Sequence, residues 1–168
     1  LSSVFTLLPI VIGLILWDKL PEKIPMHWNL KGEIDSYGSK ETFVFLFPLL
    51  LFAIHIFSVI ATFLDPKNKN QNKKVYSLIF FATPFISILV SGTVYATALG
   101  FSIQMESIMA LLFCVMFFFL GNYLPKCKRN YTIGIKIVWA LDDEENWNAT
   151  HRFAGKIWTA ASLLFFIF

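Results

Sequence analysis

The chain has 168 residues, 57% of them hydrophobic and 15% charged, with a net charge of +3 and a mean hydropathy of +0.65. A soluble domain sits at about 45–50% apolar and about 25% charged, so a soluble globular class is excluded. Two cysteines, Cys114 and Cys127, at no ligand-like or redox spacing exclude a disulfide framework.

The apolar excess falls in blocks of roughly 16 to 25 residues with almost no charge, about the length a bilayer core requires. This predicts an all-α, polytopic transmembrane helix bundle with about five spans, at 3–17, 43–64, 75–100, 103–120 and from about 153 to 168. Both ends of the chain lie in apolar runs, which reads as a segment of a longer protein. Pro84 removes a backbone donor from the third span and predicts a local kink, with Ser87, Ser91 and Thr93 available to the freed carbonyls. Gly92 and Ala96 in the same span stand four apart, a spacing that lets helices approach closely.

Four loops join these spans. The first, 18–42, contains "PMHWNLKG". The second, 65–74, reads "DPKNKNQNKK". The third is short, and the fourth, 121–152, is rich in Asn, Trp and charge. Loops one and three carry Lys19, Lys23, Lys31 and Lys40. Loops two and four with the start of span five carry Lys67, Lys69, Lys73, Lys74, Lys126, Lys128, Arg129, Lys136, Arg152 and Lys156. Four cations against ten predict loops two and four, and the N-terminus, on the cytoplasmic side of a bacterial inner membrane. The Asn-x-Thr sequons at Asn130 and Asn148 are then expected to be unmodified.

In the outer loop, Pro21 and Pro25 bias the preceding residues toward extended backbone. Gly32 suits a turn, Trp28 suits the headgroup region, and Asn29 and Asp35 are placed to tie the loop to its own backbone. An ordered extracytoplasmic loop is expected. His27 has no second His near it, and His27, His55 and His151 are predicted at different depths. No metal site is expected, since zinc needs three or four converging ligands. His55, in the middle of span two, should face the bundle interior. It is read either as a neutral side chain bonded to a neighbouring helix, such as the third span's Ser or Thr, or as a proton or substrate contact. Glu106 is read as interfacial. No nucleophile elbow, zincin motif or Gly-rich phosphate loop occurs, so neither enzyme activity nor a cofactor is expected.

In the fourth loop, Gly121 suits a helix C-cap and Pro125 blocks continuation. "KCKR" is placed next to anionic headgroups. Asp142 or Asp143 can cap a new helix, with Glu144 and Glu145 favourable in its first turn. Trp147, His151, Ala154 and Trp158 follow at helical spacing. This predicts a cytoplasmic interfacial helix turning into span five, its aromatic face either anchoring in the membrane surface or docking a partner.

The two long loops resemble the signatures of the SdpI-like bacterial membrane proteins, whose name comes from an immunity protein against a secreted killing factor. "LPEKIPMHWNLKGEIDSYGSK" resembles the N-terminal His-Trp-Asn domain of unknown function, through Leu20, Pro21, Pro25, His27, Trp28, Asn29, Gly32 and Asp35. "GNYLPKCKRNYTIGIKIVWALDDEENWNATHRFAGKIW" resembles the second signature, through Gly121, Asn122, Pro125, Lys126, Lys128, Asn130, Gly134, Trp139, Trp147, Thr150, His151, Arg152 and Gly155. Relatives read Arg-Thr-Pro-Trp-Thr where this chain has Lys136, Ile137, Val138, Trp139 and Ala140. Lysine lacks the planar fork of arginine, and the missing proline loosens the turn. The resemblance implies six spans, a unit over 1–64 and an SdpI-like unit over 75–168, with membrane lipid as surroundings. Expected function is immunity to, or sensing of, a secreted peptide toxin. A cytoplasmic winged-helix repressor is the inner partner, and no direct nucleic-acid contact is implied. A small transporter using His55 is the alternative.

Overall fold

The computed structural model describes residues 2–29, 31–67 and 71–167, with the side chain of residue 167 left aside. Lys69 of the second loop and Phe168 of the fifth span lie outside the described residues. Helix α1 is Ser2–Ile15, a hairpin pairs β1 (Lys23–Trp28) with β2 (Ile34–Ser39), and a π-helical turn at Thr42–Leu46 leads into α2 (Phe47–Leu64). Then come α3 (Lys73–Ala98), α4 (Met105–Tyr123), a 3-10 turn Leu124–Lys126, α5 (Val138–Asp142) and α6 (Glu144–Ile167). The architecture is a membrane helix bundle, and the ordered loop is a two-stranded antiparallel hairpin.

Among the described residues, three helical stretches are long and apolar enough to cross a membrane: Thr42–Leu64, Lys73–Ala98 and Met105–Lys126. α1 is apolar but has 14 residues, which rise about 21 Å against a hydrocarbon core of about 30 Å. α6 is polar in its first half and apolar in its second, so the predicted interfacial helix and fifth span are one continuous rod. Its start is set by Asp143, whose Oδ2 accepts the Asn146 N–H at 2.8 Å, the N-cap bond that satisfies an orphan helix donor.

The chain divides into two compact units, Leu1–Phe57 with Phe80–Ser107, and Ser58–Ile79 with Ile108–Phe168. The division runs through α2 and α3.

In the first unit, Leu20, Ile24, Phe43, Val44, Val94 and Tyr95 form the core. Tyr95 stacks edge-on to Phe43, and its hydroxyl donates to the Pro9 carbonyl at 3.0 Å. Gly13 makes room for it: a Cβ there would meet the Tyr95 hydroxyl and Val44 at 2.7 Å. Ser87 is fully buried and donates to the Thr6 carbonyl of α1 at 2.9 Å. It therefore joins two helices instead of serving the third span's own carbonyls. Thr93 and Thr97 do bond back within their helix, to Leu89 and Thr93. His55 is fully buried and bonds through Nε2 to the Ser2 hydroxyl at 3.2 Å. The expected helix-to-helix bond is present, but its partner is on α1, not α3. Among the described residues, no atom beyond its own stretch of helix lies within 4 Å of where a Gly92 Cβ would be, so the Gly92–Ala96 pair marks no close approach there.

Candidate functional site

Two constellations contain the residues singled out from the sequence. The first is the hairpin. Ile24 is fully buried and Leu20 nearly so, with Trp28 packed on the same cluster. This apolar edge fixes the hairpin on the helix ends, while Met26 and His27 of β1 and most of β2 are exposed. The pairing is irregular around Pro25, His27 and Trp28, because Pro25 has no N–H for the ladder.

The turn is organised by Asn29. Its Oδ1 accepts the Lys31 and Glu33 N–H groups at 2.8 and 3.1 Å, and its amide donates to Glu33 Oε2 at 2.9 Å. Gly32 has φ of +75° and faces the Glu106 carboxylate, so both backbone conformation and space call for glycine. Asp35 does not tie the backbone as expected. It accepts from His27 Nδ1 at 2.6 Å, in a pair whose side chains are 68% and 42% exposed. Lys40 fixes the hairpin base by donating to Glu22 at 2.8 Å with its ammonium 4.9 Å from the Trp17 ring centre, a cation–π distance.

The second constellation lies in the other unit and folds the 127–137 loop against α6. Asn130 is fully buried. Its amide donates to the Lys128 and Ile133 carbonyls at 2.7 and 3.0 Å, and its oxygen accepts the Thr132 and Ile133 N–H groups at 2.9 and 2.6 Å. Gln71 brackets the Lys128 peptide, accepting its N–H at 3.0 Å and donating to its carbonyl at 3.1 Å. Asp65 accepts from the Tyr131 N–H at 2.7 Å and the Thr132 hydroxyl at 3.0 Å. Nothing in the sequence marked Gln71 or Asp65. Their partners lie 57 and 66 residues along the chain, beyond the reach of any local pattern.

Trp147, fully buried, donates from Nε1 to the Cys127 carbonyl at 2.8 Å and stacks on His151 with ring centres 4.0 Å apart. His151 Nε2 accepts the Ile135 N–H at 2.9 Å, so Nε2 carries no proton. Nδ1–H then donates to the Trp147 carbonyl at 2.8 Å. Gly134, with φ of +109°, lies directly against His151 Nε2 and the Trp147 ring. Arg129 donates to the Leu141 and Asp142 carbonyls that end α5. The departure from relatives at Lys136–Ala140 leaves the turn intact: Ile137 is extended and accepts from the Ala140 and Leu141 N–H groups at 3.0 Å.

Of the expected inner set, Asn130, Trp147 and His151 are buried, and Gly134 is packed beneath them. Asn122, Pro125, Lys126, Lys128, Trp139 and Arg152 remain exposed, with Trp139 63% exposed. Gly121 does not cap a helix end. It lies inside α4, and a Cβ there would meet Thr159 N at 2.7 Å and the Gly155 carbonyl at 2.9 Å. Gly121 and Gly155 are the close-contact glycines that the Gly92 spacing had led one to expect elsewhere. Asn130 has no accessible surface, so its sequon offers no attachment point in the folded chain.

Burial lowers the His151 pKa, opposed by its bond to the Trp147 carbonyl. The neutral imidazole is therefore the folded form. Its contribution to stability is present above the unfolded value of about 6.5 and is lost as pH falls through the depressed folded value. Thermal unfolding in detergent at pH 8 and pH 5 should show a lower midpoint at pH 5. The difference should shrink in His151→Gln; an equal drop in both proteins would remove His151 from the cause. Burial also pushes the Cys127 thiol up to about 11, which makes it an inert core group.

Two family models match the chain. Residues 4–52 match a domain of unknown function, DUF1648, and residues 126–168 match the SdpI/YfhL protein family. The chain is 27% identical over 160 residues to the immunity protein SdpI of Bacillus subtilis (strain 168), an alignment covering 94% of this chain and 74% of that protein. No solved structure matches. With the hairpin inside the first match, Trp147 and His151 inside the second, and an aligned relative spanning nearly all that lies between, the chain is similar to the SdpI-like membrane proteins over most of its length.

Proposed function

We propose that this protein is a membrane immunity protein that protects its cell from a secreted peptide toxin, with the hairpin as the toxin-facing surface. The observation that carries the reading is the alignment with an immunity protein over 94% of the chain. The hairpin geometry supports it. His27 and Tyr37 project from a fixed hairpin, a preorganised surface that limits the entropy cost of binding. On the cation count the hairpin faces outward. The opposite loops then face the cytoplasm, where exposed Trp139, Lys128 and Arg152 form the reading's surface for a small repressor. His55 acts as a helix-joining residue on this reading, since its Nε2 is bonded to Ser2.

The test is survival of a toxin-sensitive strain that expresses the protein, with membrane levels matched. His27→Ala removes an exposed side chain and should leave the fold intact. It is expected to lower the protective toxin concentration by about tenfold or more, the scale of one strong interface contact. His55→Leu at matched membrane level should retain protection. Loss with His55→Leu but not with His27→Ala would favour the transporter reading. Survival that does not depend on the protein at all would end the immunity reading.

A further inference from the structure

The groove between the end of α4 and the facing side of α6 is unclaimed by either constellation. Its volume is about 500 Å³, inside the range of about 300–1,000 Å³ typical of small-ligand sites. Asn122 and Lys126 line one wall, and Lys156, Thr159, Ala160 and Leu163 line the other. On α6 these four fall at i, i+3, i+4 and i+7, one face of a helix. That face runs from an ammonium through a hydroxyl to alkyl groups over about 10 Å. Gly121 and Gly155 bring the two backbones together along the groove and leave no side chain there to fill it.

The wall's chemical order is that of an amphiphile: cations at one end, apolar surface at the other. Among the described residues, no carboxylate lines the groove and neither Lys126 nor Lys156 is in an ion pair. Lys126 donates to the Asn122 side-chain oxygen at 3.4 Å and lies over the Tyr123 ring face. The membrane-length stretch formed by α4 and the 3-10 turn after it ends at Lys126, which puts the cationic end of the groove at headgroup depth. We propose that this groove is a specific seat for an anionic phospholipid. Lys126 and Lys156 would hold the phosphate, with Asn122 and Thr159 available to its oxygens, and an acyl chain would lie along Ala160 and Leu163.

The test is native mass spectrometry of the purified protein in an uncharged detergent. It would be titrated separately with dioleoylphosphatidylglycerol, dioleoylphosphatidylcholine and inorganic phosphate. Phosphatidylglycerol should bind at least about tenfold tighter than phosphatidylcholine. The double variant Lys126→Gln, Lys156→Gln should lose about thirtyfold, from about fivefold per lysine at an anionic lipid surface. Lys73→Gln with Lys74→Gln removes the same charge outside the groove and should change nothing. Ala160→Phe fills the groove without changing charge and should also lose the lipid. Should that variant misfold, the exposed lysine variants decide alone. Equal affinity for the two lipids, or equal loss in the two double-lysine variants, overturns the proposal. So does inorganic phosphate binding as tightly as phosphatidylglycerol, which would make the groove a phosphate site.

Discussion

Trp147→Ala is expected to release the whole 127–137 loop. The indole is fully buried within the cluster of Val75, Cys127 and Ala140, and truncating such a ring costs about 3–5 kcal/mol. The Cys127 carbonyl loses its donor, which adds about 1–3 kcal/mol if no water replaces it. His151 loses its stacking partner while holding the Ile135 N–H, so the damage spreads along the loop. Cys127 itself is the readout. Its thiol is buried and pushed up to about 11 from an ordinary 9.0. In a Cys114→Ala background, its alkylation by maleimide near neutral pH should rise by about a hundredfold from ionisation alone, with lost burial adding to that. Trp147→Phe keeps most of the volume and loses only the N–H. It should fall between wild type and alanine. An alkylation rate unchanged in Trp147→Ala would show that the loop holds without the indole.

Glycines give the second large effect, with opposite signs at positions that look alike in the sequence. A Cβ at Gly155 would meet the Gly121 carbonyl at 2.6 Å and the Pro125 ring at 2.7 Å. The first neighbour is backbone, which cannot rotate aside, so α4 and α6 must separate. Overpacking of this kind costs about 1–3 kcal/mol, and Gly155→Ala should approach the upper end. Gly92 meets nothing, and a glycine within a helix costs about 1 kcal/mol relative to alanine. Gly92→Ala should therefore be neutral to mildly stabilising. Thermal midpoints of the two variants in one detergent check both at once. Similar midpoints for both would show that α4 and α6 are not held by backbone contact.

The identity of the elements was legible because it depends on local composition. Hydropathy placed α2, α3 and α4 within a few residues. Helical spacing put Trp147, His151 and Ala154 on one face, and the structure buries that face. A cap at Asp142 or Asp143, of which the structure uses Asp143, and Gly32 as a turn residue followed from single-residue conformational preferences. The strands of the hairpin were not drawn, since two segments of six residues carry too little periodicity to separate a strand from an ordered coil.

Roles that depend on a partner were less legible. Trp147 and His151 read equally well as a membrane anchor or a docking face, and instead they close a loop upon themselves. Asn130 read as a candidate contact and is the loop's internal scaffold. The polar residues of the third span were assigned to their own helix, whereas Ser87 serves Thr6, 81 positions away. His55 was expected either to bond to a neighbouring helix, such as the third span, or to make a proton or substrate contact, and it bonds to Ser2 of α1, 53 positions away.

By itself, the sequence determined the membrane class, the positions of the long spans, the acidic cap region of α6 and the two loops that carry the family resemblance. Each of these is a property of neighbours along the chain: a run of apolar surface, a 3.6-residue period, a backbone angle that only glycine adopts easily. Tertiary structure alone decided which glycine lets two helices touch, which buried polar group serves which, and which signature residues stay exposed. A buried polar group must find a partner, but the demand does not name the partner. In this chain the answer lies 50 to 90 positions away at Ser2 and His55, Pro9 and Tyr95, and Asp65 and Tyr131, and only packing brings those positions together.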